Sequence, residues 1–151
     1  MIFLCGLSDK LQKSAYMGIR YCRRCQKFQH FYLYHHKTQF TIFFIPVLWH
    51  TKGYYIGCGI CHATKSITKT QYEETKERYA SFLDVETTKT IYEFCVDMAS
   101  SRENTQPNID KLFNQVNERF DLKGFEDDFY IMITNIFAVQ EAARFQPKII
   151  D

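Results

Sequence analysis

Cys22-Arg23-Arg24-Cys25 and Cys58-Gly59-Ile60-Cys61 decide how this chain is read: two C-x-x-C pairs with thirty-two residues between them. Two thiolates three positions apart in a tight turn fill two corners of a tetrahedron, and a second such pair fills the other two. Cys22, Cys25, Cys58 and Cys61 therefore make a four-sulfur ligand set that leaves no coordination position open for water or substrate. Structural Zn²⁺ is the expected ion. Iron in a rubredoxin-like site is the alternative, because four thiolates suit both metals. A thioredoxin-like redox pair is not expected, since neither pair stands in a βαβ pattern.

The residues around the pairs have strand composition. Residues 28–36 (Phe-Gln-His-Phe-Tyr-Leu-Tyr-His-His) and 40–49 (Phe-Thr-Ile-Phe-Phe-Ile-Pro-Val-Leu-Trp) are aromatic and β-branched. Pro46 marks a bend or an edge. Lys37-Thr38-Gln39 and Lys52-Gly53 read as turns, residues 54–57 enter the second pair, and residues 63–68 leave it as a last strand. Upstream, residues 1–6 read as a short strand, 8–14 as a loop or helical turn, and 16–21 as the approach to the first pair. A β-meander with a cysteine knuckle at each end has the layout of a zinc ribbon.

Residues 1–68 resemble a family of small, uncharacterised zinc-ribbon proteins of bacteria and fungi. The resemblance rests on Met1-Ile-Phe-Leu-Cys-Gly, on Cys22/Cys25, on Thr41-Ile-Phe-Phe-Ile-Pro-Val, and on the run from Lys52-Gly-Tyr-Tyr to Cys58-Gly-Ile-Cys61. It implies a ribbon with four cysteine ligands and carries no activity with it. Family knuckles often place glycine after the second cysteine, which eases the turn that aims backbone N–H groups at sulfur. Gln26 and His62 stand there in this chain.

From residue 69 the pattern becomes helical. Thr70-x-x-Glu73 matches a capping box, with Tyr72, Tyr79, Phe82 and Leu83 at helical spacing. Asp84 or Thr87 is placed to cap a second helix with an Ile91, Phe94, Cys95, Met98 stripe. Ile109, Leu112, Phe113, Val116 and Phe120 mark a third, ended by Gly124. The fourth spans about residues 126–145, with Phe129, Met132, Ile133, Ile136, Phe137, Val139 and Ala143 apolar, and Pro147 stops it. The expected fold class is thus α+β: a four-cysteine zinc ribbon over 1–68 and an acidic four-helix bundle over 69–151.

Charge divides the chain in the same way. Residues 1–69 hold ten Lys or Arg against Asp9 alone, a net of +9; residues 70–151 hold nine against sixteen acids, a net of −7. Arg20, Arg23, Arg24, Lys27 and Lys37 cluster around the first knuckle among Tyr21, Phe28, Phe31, Tyr32 and Tyr34. Cations beside aromatics suit the phosphates and bases of single-stranded DNA or RNA. The plainer explanation is that Arg23 and Arg24 offset the two negative charges of a zinc–tetrathiolate, while the rings fill a small core. Basic and acidic halves also suit docking within one chain or between two copies, so a homo-oligomer stays open.

The remaining candidates read as structural. Cys95 lies on an apolar helical stripe, and Cys5 in an apolar lead-in without a partner cysteine nearby. His35 and His36 point to opposite faces of a strand, and the surface is the expected place for each histidine. His62, next to the second knuckle, is a candidate donor to a thiolate. Glu126-Asp127-Asp128 suits a helix N-terminus. No nucleophile, base and acid stand at catalytic spacing, so no catalytic residue is assigned. Residues 40–49, the longest apolar run, fall short of the roughly 20 needed for a membrane span. Residues 1–7 lack the basic start and cleavage site of a leader, and paired thiols favour a reducing compartment, so cytoplasm is expected. The expected function is a non-enzymatic, zinc-stabilised binding or adaptor module for a protein partner, with nucleic-acid binding through the basic aromatic face as the alternative.

Overall fold

Four strands run in chain order across one antiparallel sheet, β1 (Cys5–Cys22), β2 (Lys27–Ile42), β3 (Ile45–Cys58) and β4 (Thr64–Ile67). Four helices follow: α1 (Lys69–Tyr79), α2 (Val85–Ala99), α3 (Gln106–Arg119) and α4 (Glu126–Phe145). The structure is a computed structural model that describes the backbone of residues 5–42, 45–62 and 64–145, and the side chains of 11–37, 53–62 and 64–143. The α+β class is as expected.

The strands are longer than their composition suggests. Residues 8–14, read as a loop, lie inside β1 and pair with β2 from Ser8↔Gln39 to Lys13↔Tyr34. Lys37-Thr38-Gln39, read as a turn, continues β2 and pairs on both sides. None of the three favours a left-handed backbone, so a ladder closed on two edges outweighs their polarity. Lys52-Gly53 does not turn either. The register slips there, with His36 opposite Gly53 and Lys37 opposite Thr51, so the glycine marks a bulge. Pro46 sits beside the next slip, between Phe40 and Thr41. Residues 1–4 of the first expected strand, Ala63 and Pro147 lie outside the described residues.

A further bulge in β1, between Tyr16 and Ile19, holds Gly18 at φ +89°. A side chain there would also meet the Phe82 ring at 3.0 Å. Only glycine fits this position without strain.

The N-cap of α1 lies two residues earlier than expected. Thr68 is the N-cap: its hydroxyl accepts from the Gln71 N–H at 3.2 Å, and the Gln71 amide oxygen accepts from the Thr68 N–H at 3.0 Å. The capping box is therefore Thr68/Gln71 rather than Thr70/Glu73. Its buried side chains are Tyr72 and Tyr79, seven residues apart and so on one face.

The chain divides after α1. Residues Met1–Phe82 form one compact unit and Leu83–Asp151 the other, so the boundary expected at residue 69 falls at 82/83. Helix α1 contacts β1, β2 and β3, and the second unit keeps α2, α3 and α4 in mutual contact. The change of texture at residue 69 marked a change of secondary structure and not the edge of a packed unit. Counted by unit, the sequence carries +8 over residues 1–82 (twelve bases, four acids) and −6 over 83–151 (seven bases, thirteen acids).

The second unit buries part of each expected stripe: Ile91 and Cys95 from α2, Ile109, Leu112 and Val116 from α3, Phe129, Met132, Ile133, Ile136 and Phe137 from α4; Phe94, Met98, Phe113, Phe120 and Val139 are half-buried and Ala143 is exposed. Asp84 takes the N-cap of α2, and Thr105 caps α3 ahead of Pro107. Gly124, at φ +86°, lies in the turn before α4 and not at the end of α3, which is capped by Phe120.

Candidate metal centre

The turns that end β1 and β3 bring the four cysteines together. Their sulfur atoms lie within 4.8 Å of one another, with Cys22 Sγ 3.5 Å from Cys61 Sγ and Cys25 Sγ 3.9 Å from Cys58 Sγ. A tetrahedron with metal–sulfur bonds of about 2.3 Å has edges of about 3.8 Å, so the two short distances bracket the ideal. They are far too long for a disulfide, about 2.05 Å. Cys22 and Cys58 are buried, Cys25 and Cys61 half-buried.

Each knuckle has the backbone of a metal turn. The Cys25 N–H donates to Cys22 Sγ at 3.5 Å, and the Ile60 N–H donates to Cys58 Sγ at 3.4 Å. Gln26 and His62, the residues that follow the second cysteine of each knuckle, have φ of 55° and 56°. The left-handed turn is made without the residue that makes it easily. Gly59 supplies the one close approach: its N–H donates to the His30 carbonyl at 2.9 Å, and a Cβ there would lie 2.9 Å from the Tyr32 ring and 3.1 Å from that carbonyl.

Proton placement also suits a cation. The Cys25 N–H, with smaller help from the Cys61 thiol, lowers the Cys22 thiol to about 7 against the opposing effect of burial. The hydrogen bond from Cys25 to Cys61 and burial push Cys25 up to about 12. One sulfur ionises readily and its neighbour keeps a proton to share, because four thiolates this close repel one another. A metal ion held between the sulfurs would take the place of those protons. The donor set fits a tetrahedral thiophilic ion.

An open cleft of about 470 Å³ adjoins the first knuckle. It is lined by Arg20, Arg23, Arg24 and Lys65, by Tyr21, Phe31, Ile56 and Thr64, and by the ligand Cys22. The register explains the grouping: Phe31 faces Cys58, Ile56 faces Lys65, and residues two apart on β3 share a face. Three of the five cations expected to meet nucleic acid thus come together. Lys27 and Lys37 do not line the cleft, and Lys65, unremarkable in sequence, does. Arg20 is held in place by a bond from its Nη2 to the Tyr79 hydroxyl, 3.0 Å.

His30, His35 and His36 are half-buried and not on the surface as expected. His30 Nδ1 bonds the Tyr16 hydroxyl at 2.7 Å. His35 is half-buried in a polar chain. Its Nε2–H donates to Gln12 Oε1 at 3.0 Å, which leaves Nδ1 to accept from the Ser14 hydroxyl at 2.5 Å. The Tyr72 hydroxyl donates in turn to Ser14 Oγ at 2.7 Å, while its ring stacks on Tyr54 at 4.4 Å. Burial, then Lys37 and Lys76, lower the His35 pKa and keep the imidazole neutral. The chain fastens α1 to the sheet. Nothing in the spacing of Gln12, Ser14, His35 and Tyr72 announces it, since the bulge at Ser14 and the docking of α1 create it. His62 is exposed, its ring edge-on to Tyr34 at 6.4 Å, and no bond from it to a sulfur is present among the described residues.

No protein-family model, no curated protein and no solved structure matches the chain. Among the described residues, no helix is long and apolar enough to cross a membrane.

Proposed function

We propose that this protein is a non-enzymatic binding module whose sheet is stapled by Zn²⁺ on Cys22, Cys25, Cys58 and Cys61, as a zinc ribbon, and that the stapled surface engages another macromolecule. The observation that carries this is the convergence of four sulfurs, two from the β1–β2 turn and two from the β3–β4 turn at the same end of the sheet, at tetrahedral spacing. All four positions around such an ion are filled by protein, which favours a structural ion over one that activates water. The resemblance of residues 1–68 to small zinc-ribbon proteins points the same way. A protein partner, the first expectation from sequence, draws on the mixed charge of the two units. The cationic cleft favours the second expectation, nucleic acid, and is taken up below.

Elemental analysis of the full chain purified under reducing conditions tests the staple. The expected result is about one zinc per chain, and a Cys58→Ser variant that retains none. A cobalt-substituted sample is expected to show the visible bands of a tetrahedral tetrathiolate. Iron in stoichiometric amount, seen as a coloured protein as purified, would replace zinc with a rubredoxin-like site. The absence of any stoichiometric metal would overturn the proposal.

A further inference from the structure

We infer that the cleft beside the first knuckle binds single-stranded nucleic acid, with Arg23, Arg24 and Lys65 on phosphates and Phe31 under a base. This rests on the zinc-stapled reading above, since Cys22 is part of the cleft wall.

Three observations lead to this ligand. First, the cleft is cationic: four bases and no acid line it, and a zinc–tetrathiolate neutralises at most two of the charges. Arg23, Arg24 and Lys65 are exposed, and none of them has an ion-pair partner among the described residues. Offsetting the metal core therefore accounts for only part of the charge. Second, Phe31 is half-buried in the cleft and has no ring partner among the described residues. Rings around it are engaged with one another: Tyr21 with Phe28 at 5.4 Å, Tyr16 with Tyr32 at 5.3 Å, Tyr54 with Tyr72 at 4.4 Å. A free aromatic face inside a cationic groove is what an unpaired base stacks on. Third, Arg20 at the back of the cleft is oriented by the Tyr79 hydroxyl of α1, so one guanidinium is placed before ligand arrives. The volume suits one or two nucleotides and not a duplex.

An acidic peptide satisfies the charges and leaves Phe31 unexplained. A duplex satisfies the charges and hides its bases. Single strands satisfy both.

The test is fluorescence anisotropy with labelled 15-mers of dT and rU, the matching duplex, and a Glu-rich peptide, using the full chain with its zinc content measured on the same sample. Single strands are expected to bind with Kd on the order of 10⁻⁵ M at low salt, and about 20-fold more weakly at 200 mM than at 50 mM salt, from three phosphate contacts. Arg23→Glu with Arg24→Glu is expected to remove two contacts, cutting affinity by at least tenfold at 50 mM and the salt slope by about two thirds. Phe31→Leu, which keeps apolar bulk, is expected to lose roughly 5- to 150-fold, and Phe31→Trp to retain binding. A merely structural Phe31 would give the same loss with both.

Zinc present but no single-strand binding at 50 mM salt would overturn this inference and leave the staple standing. Zinc absent would remove the staple itself. Equal affinity for the duplex, or tighter binding of the peptide, would also overturn the inference, the latter in favour of an acidic protein partner.

Discussion

Replacing Gln26 by glycine is expected to strengthen the metal site. Gln26 is exposed and follows the second cysteine of the first knuckle at φ 55°. A side chain in the left-handed region costs roughly 1–2 kcal/mol. Glycine removes that strain but gives the unfolded chain extra freedom, worth roughly 0.5–1 kcal/mol in the opposite direction. The difference is a gain of about 0.5–1 kcal/mol. Where metal binding and ribbon folding are one equilibrium, that gain appears as about 2- to 5-fold tighter zinc. Competition against a chromophoric chelator measures it. His62→Gly, at φ 56°, should follow in the same direction with a smaller gain, because the ring that meets Tyr34 is lost. Lys123→Gly is the control. Lys123 has φ 51° in the turn before α4, so relief of strain there should stabilise the second unit and leave zinc affinity unchanged. Zinc affinity in Gln26→Gly equal to or below that of the parent chain would refute the reasoning, and with it the view that these turns are strained.

Gly59→Ala should do the opposite: its Cβ meets the His30 carbonyl and Tyr32 ring, at an expected cost of about 1–3 kcal/mol, and unchanged zinc affinity would contradict the close approach. Chelation at neutral pH should unfold the first unit and spare the second, read as a change in Trp49 fluorescence with the helical circular dichroism largely kept; simultaneous loss of both signals would count against separate units. The His35 chain predicts a pH effect. Its folded pKa lies below the ordinary 6.5, so the stability it lends is complete above about pH 6.5 and is lost as pH falls towards the folded value. Urea midpoints by Trp49 fluorescence should therefore drop further from pH 7.5 to 5.5 in the parent than in His35→Gln, at matched zinc occupancy, and parallel curves would disprove it. Cys95 is fully buried, and burial pushes its thiol up to about 12, so iodoacetamide at pH 8 should leave it unmodified until α2–α4 unfold, as peptide mapping would show.

What the sequence revealed depended on whether a feature was local. The cysteine pairs are local signals, each set by one turn, and they were readable to the residue. The helical stripes were readable for the same reason: Ile91/Cys95, Ile109/Leu112/Val116 and Ile133/Phe137 recur within single helices, and all are buried. Strand lengths were not. Ser8 and Lys37 are extended because of the strands beside them, and neither residue announces its neighbour. The unit boundary failed in a related way. Helix α1 looks like the start of a helical domain, yet Tyr72 and Tyr79 commit it to the sheet through hydroxyl partners, Ser14 and Arg20, that lie 58 and 59 residues away. Lys65 entered the cleft on the same terms, through its pairing with Ile56.

The buried residues of the two units differ in kind. Among the described residues the second unit buries Leu, Ile, Val, Met and Phe from three helices, enough apolar area to close a core by itself. Among the described residues the first unit buries Met17, Ile19, Leu33, three tyrosines (Tyr34, Tyr72 and Tyr79) and two of the clustered cysteines, Cys22 and Cys58. At the knuckles, a cation held by four sulfurs would tie β1 to β3, and its binding would add directly to folding. The cations follow from the same arrangement: a tetrathiolate accounts for two positive charges at the first knuckle, and the cleft carries four. The excess is the part of the sequence that stability does not require, and it is there that a ligand is best sought.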